Sequence, residues 1–183
     1  CSIASFPGMK ERTIILDGFS KTYAMTGWRL GYGVMNRSLA ANITKLMVNS
    51  NSCTAAFTQI AGISALHGEH NSVLKMVETF RRRRDRVVEL LNQIDGISCR
   101  TPHGAFYVFP NVTALGHDSS RLADLLLKDV GVAVLSGTAF GSYGQGYLRL
   151  SYATSMELLE EGIEKISRAT KELAAGMIKL ESQ

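Results

Sequence analysis

Cysteine is scarce in this chain. Cys1, Cys53 and Cys99 are odd in number, scattered, and form no C-x-x-C pair. That excludes a disulfide framework and points to free thiols in a reducing, cytoplasmic compartment. No run of about 18 apolar residues exists to span a membrane, and no signal peptide is visible. Histidine offers no metal set. His67 and His70 stand three apart, but Gly68 breaks the helix between them and no third ligand is near, whereas a metal site needs three or four. A G-x-S-x-G elbow, a P-loop and a dinucleotide fingerprint are all missing. No internal repeat is evident.

What is present is ordinary in bulk. Hydrophobic residues make up 45% and charged residues 20% of 183 positions, a balance that builds a globular core and argues against disorder. The length suffices for one good core or two small ones. A net charge of +4 and a pI near 9.1 fit an anionic ligand without requiring one.

One stretch stands out, from Phe19 to Tyr32. Two apolar β-like runs, Thr13–Leu16 and Leu30–Met35, flank it. They predict Lys21 at a strand end, on a loop gripped between two buried strands. A lone lysine in such a place is ordinarily a solvated surface residue, since lysine is almost never buried without a partner. Its neighbours argue otherwise. Gly18, Ser20, Thr22, Thr26 and Gly27 are small or hydroxylic, so the backbone can approach a ligand and hydrogen-bond it. Arg29 follows eight residues on, beside Trp28. An amine able to form a Schiff base and a guanidinium able to grip a phosphate suit a ligand that carries both a carbonyl and a phosphate.

The run Gly18-Phe19-Ser20-Lys21 to Gly27-Trp28-Arg29-Leu30-Gly31 resembles the pyridoxal-phosphate attachment signature of class I/II aminotransferases, the aspartate aminotransferase relatives of fold type I. The resemblance implies pyridoxal-phosphate-dependent transfer of an amino group from an amino acid to a 2-oxo acid. It implies that Lys21 forms the Schiff base to the cofactor, that Arg29 holds its phosphate with Ser20 in the same cofactor site, and that the whole enzyme is a homodimer. Many family members carry a serine three residues before the lysine, where this chain has Gly18. The likeness covers nearly all 183 residues, which are expected to correspond to the C-terminal half of such an enzyme. The acid that pairs the pyridine nitrogen and the tyrosine that bonds the ring oxygen would belong upstream of Cys1. Alternatives are a same-fold lyase or synthase, a catalytically inactive fragment, or a regulator's effector domain. Such effector domains place a proline-containing turn before the arginine. Here Ala24-Met25-Thr26-Gly27 precedes Trp28-Arg29, which favours the enzyme.

Further along, Asn36 or Ser38 is expected to cap a helix through Met47, and Asn49–Thr54 to form a polar break. Such runs cap helices on local chemistry alone; the resemblance offers a place near a dimer interface instead. Helices follow from Thr54 or Ala55 to Leu66, stopped by Gly68, and from Asn71 to Ile94, closed by Gly96. The run Arg81-Arg82-Arg83-Arg84 makes no nucleic-acid patch, because four consecutive helical residues spread around the circumference. Glu78 with Arg82, and Arg81 with Asp85, suit surface pairing. Short strands are predicted at 97–100, 105–109 and 132–135, and a helix at Ser119–Val130 capped by Asp118.

Gly146 to Ala153 is the second informative stretch. Leu148, Leu150 and Tyr152 alternate with Arg149 and Ser151. An arginine in a short apolar strand wants a fixed anion, either an internal carboxylate or a ligand. Arg-x-Ser-Tyr-Ala resembles the family strand whose arginine holds the substrate α-carboxylate, which implies that role for Arg149. The last helix opens on a capping box at Thr154–Glu157. Its stripe of Met156, Leu159, Ile163, Ile166, Leu173, Met177 and Leu180 is core packing. The expected fold is α/β, a partial fold type I. Residues 1–50 would end the large cofactor domain, 51–70 would connect, and 71–183 would form an α+β small domain.

Overall fold

A computed structural model describes residues 1–178. The chain divides after Lys75 into two compact units. In the first, Ile15–Gly18 (β1) and Gly31–Val34 (β2) pair antiparallel, with Asp17 opposite Tyr32 and Gly18 opposite Gly31. The lysine stretch therefore connects two paired strands. The strands themselves are not buried as expected. Leu16 is 78% exposed, and no residue of β2 is buried. A two-stranded ribbon has two faces and two edges, and among the described residues no third strand pairs with it.

Arg37–Asn51 (α1) starts where Asn36 accepts a hydrogen bond from the Leu39 amide. It runs on through the expected break, because Asn49 donates its side-chain amide to the Lys45 carbonyl at 2.7 Å and so rides along the helix. The break comes at Ser52, in the left-handed region at φ 61°. Ala56–His67 (α2) ends at Gly68. Asn71–Leu91 (α3) carries the chain across the division between units.

The second unit holds a three-stranded antiparallel sheet of Tyr107–Val108 (β3), Leu135–Ser136 (β4) and Leu148–Ser151 (β5), in the order β3-β5-β4. Ser119–Lys128 (α4) is capped by Asp118, and Met156–Ala174 (α5) by Ser155. Val108 and Leu148 on one sheet face join Val87 and Leu91 of α3, Leu122 and Leu126 of α4, and Ile163 and Ile166 of α5 in one core. Burial of this branched apolar set is the main force holding the unit.

Three local expectations need correction. The predicted strand at 97–100 makes only a bridge, Ser98 to Asn111. The side chain of Asn92 takes the backbone groups of Cys99 that a ladder would use, at 2.8 and 2.9 Å. β4 begins at Leu135 rather than Val132, whose N–H is tied to the Leu126 carbonyl at 2.7 Å. In α5 the stripe is buried at Leu159, Ile163, Ile166 and Leu173, but Met177 is exposed because the helix stops at Ala174. Leu180 lies outside the described residues.

The arginine run is exposed at Arg81 and Arg82 and half-buried at Arg83 and Arg84. Arg81 reaches back to Glu78 at 3.4 Å, Arg84 pairs with Asp85 at 2.7 Å, and Arg83 lies over the Phe80 ring. The expected i,i+4 pairs give way to these nearer neighbours. Among the described residues no helix is long and apolar enough to cross a membrane.

Two measurements check this packing. Leu126 is fully buried, so Leu126→Ala is expected to lower stability by about 2–5 kcal/mol in urea unfolding. Leu127→Ala, exposed on the same helix, should change it by less than about 0.5 kcal/mol. Burial pushes the Cys99 thiol up to about 11, while Cys1 and Cys53 are exposed. Ellman's reagent at pH 8 should therefore titrate two thiols promptly in the native chain, and the third only after unfolding.

Candidate active site

Phe19 is the peg of the lysine loop. Its N–H continues the strand pairing by one bond to the Leu30 carbonyl at 3.2 Å. Its own carbonyl accepts from the amides of Tyr23 and Met25, at 3.3 and 3.4 Å. The ring is 3% exposed and packs against the rings of Tyr23 and Tyr32, with centroids 5.4 and 5.5 Å away. The chain thus doubles back around one buried side chain. Lys21 rides on the outside of the turn, exposed, and Ser20 is half-buried beside the peg.

The far limb of the loop is held by strain and by local bonds. Ala24 and Arg29 both sit at φ 53°, a left-handed conformation that costs a non-glycine residue roughly 1–2 kcal/mol. Arg29 ends the 3-10 turn Thr26–Trp28, and its Nη1 donates back to the Thr26 carbonyl at 2.8 Å. That leaves an exposed guanidinium at a fixed place on the loop. Gly18 is not demanded by space: a Cβ there would meet the Leu30 carbonyl at an ordinary 3.5 Å. Asp17 accepts from the Gly18 amide at 2.7 Å and from the Tyr32 hydroxyl at 3.4 Å. Desolvation, then the Asp17 charge, hold the Tyr32 phenol above its ordinary range.

Helix α2 approaches this loop through a gap in its own side chains. Thr58 and Gly62, one turn apart, are its buried residues. A Cβ on Gly62 would lie 2.5 Å from Leu30 Cδ2 and 3.4 Å from Phe19 Cζ. Glycine in mid-helix ordinarily lowers stability; here it lets the helix touch the peg.

Lys21, Ser20 and Arg29 share this loop in the first unit. Arg149 belongs to the second, on the central strand β5. Tyr107 lies opposite Ser151, and Leu135 opposite Arg149. That register places Tyr107 on the same sheet face as Arg149, one diagonal step away. The Arg149 guanidinium lies 4.3 Å from the Tyr107 ring centroid and 4.3 Å from that of Phe140, which sits in the 3-10 turn Gly137–Phe140 after β4. Among the described residues no carboxylate pairs with Arg149. The internal ion pair left open by the sequence is thus replaced by two aromatic faces. Phe109 continues the aromatic belt, stacked on Tyr147 at 5.3 Å and edge-on to Phe140 at 6.2 Å.

The turn carrying Phe140 is pinched at its neck. Any Cβ on Gly137 would collide with the Gly144 carbonyl, and any Cβ on Gly144 with the Gly137 carbonyl. Sequence reasoning singled out Arg149 but missed Phe140. Its only signal was a phenylalanine in a glycine-rich loop, which says nothing about which strand the loop folds against.

Residues 3–166 match the family model for aminotransferase class I and II. The chain is 45% identical over 161 residues to an aspartate aminotransferase of Pyrococcus horikoshii, covering 87% of this chain and 41% of that one. It is 40% identical over 173 residues to aromatic-amino-acid aminotransferase 2 of Thermococcus litoralis, covering 93% and 44%. Among solved structures, an aromatic aminotransferase from Pyrococcus horikoshii superposes with a TM-score of 0.89 at 43% identity, over 94% of this chain and 47% of that one. The aspartate aminotransferase of Rhizobium meliloti gives 0.83 at 39%, over 91% and 44%. The chain spans less than half the length of these relatives.

The helix contact at the peg is testable. Gly62→Val should lower the unfolding midpoint by an amount equivalent to about 1–3 kcal/mol, the usual effect of overpacking. It should also raise the solvent accessibility of Phe19, read as faster amide exchange at Tyr23 and Met25.

Proposed function

Because the chain belongs to the aminotransferase class I and II family, we propose that the full-length protein moves an amino group from an amino acid to a 2-oxo acid, with pyridoxal phosphate held covalently by Lys21. The supporting observation is an exposed amine and an exposed guanidinium on one loop, tied to one buried peg. That donor set fits a ligand with an aldehyde and a phosphate. When bound, the cofactor supplies an electron sink for charge developing at the substrate Cα.

The residues divide the work. The Lys21 amine anchors the cofactor and, once the substrate amine has taken its place, carries the proton to and from the substrate Cα. Arg29 grips the phosphate through paired N–H bonds, and Ser20 adds a hydroxyl. Gly18 leaves out the hydroxyl that many family members place there. Arg149 takes the substrate α-carboxylate, for which its planar fork suits both oxygens.

In this reading residues 1–50 end the large cofactor domain, 51–70 connect it, and 71–183 form the small domain. The full-length protein works as a homodimer in the cytoplasm, where its free thiols stay reduced. The similar enzymes are named for aspartate and for aromatic amino acids, so those are the donors to try first.

The test uses the full-length protein. Wild type should give a yellow, borohydride-fixable adduct with the cofactor, and should aminate a 2-oxo acid stoichiometrically with the loss of the amino acid. Lys21→Ala should give neither the fixed adduct nor more than about 10⁻² of the activity. An adduct that survives in Lys21→Ala would sink the assignment. Consumption of the amino acid without amination of the 2-oxo acid would point to a same-fold lyase or synthase instead.

A further inference from the structure

Arg149 is held in an unusual way for a charge in an apolar strand. Its charge is stabilised without being neutralised: two ring faces lie 4.3 Å away, and no carboxylate is within reach among the described residues. The rings come from either side of β5. Tyr107 is supplied by the neighbouring strand β3, and Phe140 by the turn that follows the other neighbour, β4. The guanidinium carbon lies over both rings, and contact made through a guanidinium's flat face keeps its N–H donors in its own plane. A salt bridge would have consumed those donors. The stack leaves them available and restricts the directions in which they can aim.

We infer that Tyr107 and Phe140 are positioning residues that hold the Arg149 guanidinium flat between two aromatic faces, so that its N–H fork is aimed before a carboxylate arrives. This rests on the reading of Arg149 as the carboxylate holder and adds to it. Fixing the side chain in advance removes an ordering cost from binding. It also sets ring surface against the cation in place of some of its water, which strengthens the bidentate pair when it forms. The neck of the Phe140 turn supports the same role. Gly137 and Gly144 meet backbone to backbone, so the ring is carried by a short closed loop rather than a swinging one.

The experiment compares Tyr107→Leu, Phe140→Leu, Tyr107→Phe, Phe140→Tyr and Arg149→Lys in the full-length, cofactor-loaded protein. Two quantities are read: the dissociation constant of a carboxylate that carries no amine, succinate or 3-phenylpropionate, by calorimetry, and the KM and kcat of the amino acid separately. Each leucine variant should weaken the carboxylate probe about tenfold and raise KM by a similar factor, with kcat changed less than about threefold. The aromatic-for-aromatic variants should bind the probe within about twofold of wild type, because a π-face is retained.

The failures are separable. If Arg149→Lys binds the probe as wild type does, the carboxylate role of Arg149 falls, and the clamp with it. If Arg149→Lys loses the probe but both leucine variants keep it, the clamp alone is overturned. Phe140 is 50% exposed, so Phe140→Leu decides the matter should Tyr107→Leu lower the thermal midpoint.

Discussion

The lysine loop depends on the burial of one ring. Phe19 continues the strand pairing with its N–H and gathers two loop amides with its carbonyl, while its side chain sits under Tyr23, Tyr32 and the glycine gap of α2. The pairing of β1 with β2 already puts Lys21 and Arg29 on one loop; the ring fixes the path the loop takes between them. The left-handed residues Ala24 and Arg29 are affordable only because this anchor over-determines the path between them. Backbone strain close to Lys21 is then a consequence of wrapping a short segment around a large side chain.

The second unit solves a different problem, how to keep an arginine charged in an apolar sheet. A buried ion pair would satisfy the charge but occupy it, and its desolvation often outweighs its attraction. Ring faces attract the cation more weakly. They leave its hydrogen-bonding edge uncommitted, which the proposed role of Arg149 as a carboxylate holder requires. The core beneath supports this arrangement. Val108 and Leu148 face the helices, and the period of two in a strand then sends Tyr107 and Arg149 to the other side.

Much of this was legible in the sequence, for identifiable reasons. Helix starts were readable at Asn36 and Asp118, which act through local side-chain bonds to amides two or three residues on; the last helix is capped by Ser155, one residue past the Thr154 that the expected capping box would use. The alternation at Leu148, Arg149 and Leu150 gave the strand and its two faces. What was not legible depended on partners distant in sequence. The apolar runs flanking the lysine loop look like strands covered on both faces, yet composition cannot say what covers them. The missing strand at 97–100 turned on Asn92 bonding Cys99 across seven residues. The Tyr107–Arg149–Phe140 stack turned on strand order, β5 between β3 and β4, which no local pattern encodes.

The crossing of Gly137 and Gly144 has a mechanical consequence. Two carbonyls in contact with two glycines form a hinge that cannot open by side-chain rotation, since neither partner has a side chain to rotate. The ends of the intervening segment are therefore held together by backbone alone. Tyr143, beside the neck, is almost wholly solvated and can change its chemistry freely, whereas Phe140 faces the arginine. The root admits no side chain at either glycine, so the approach of the two ends is fixed by backbone contact beside the strand on which the arginine is mounted.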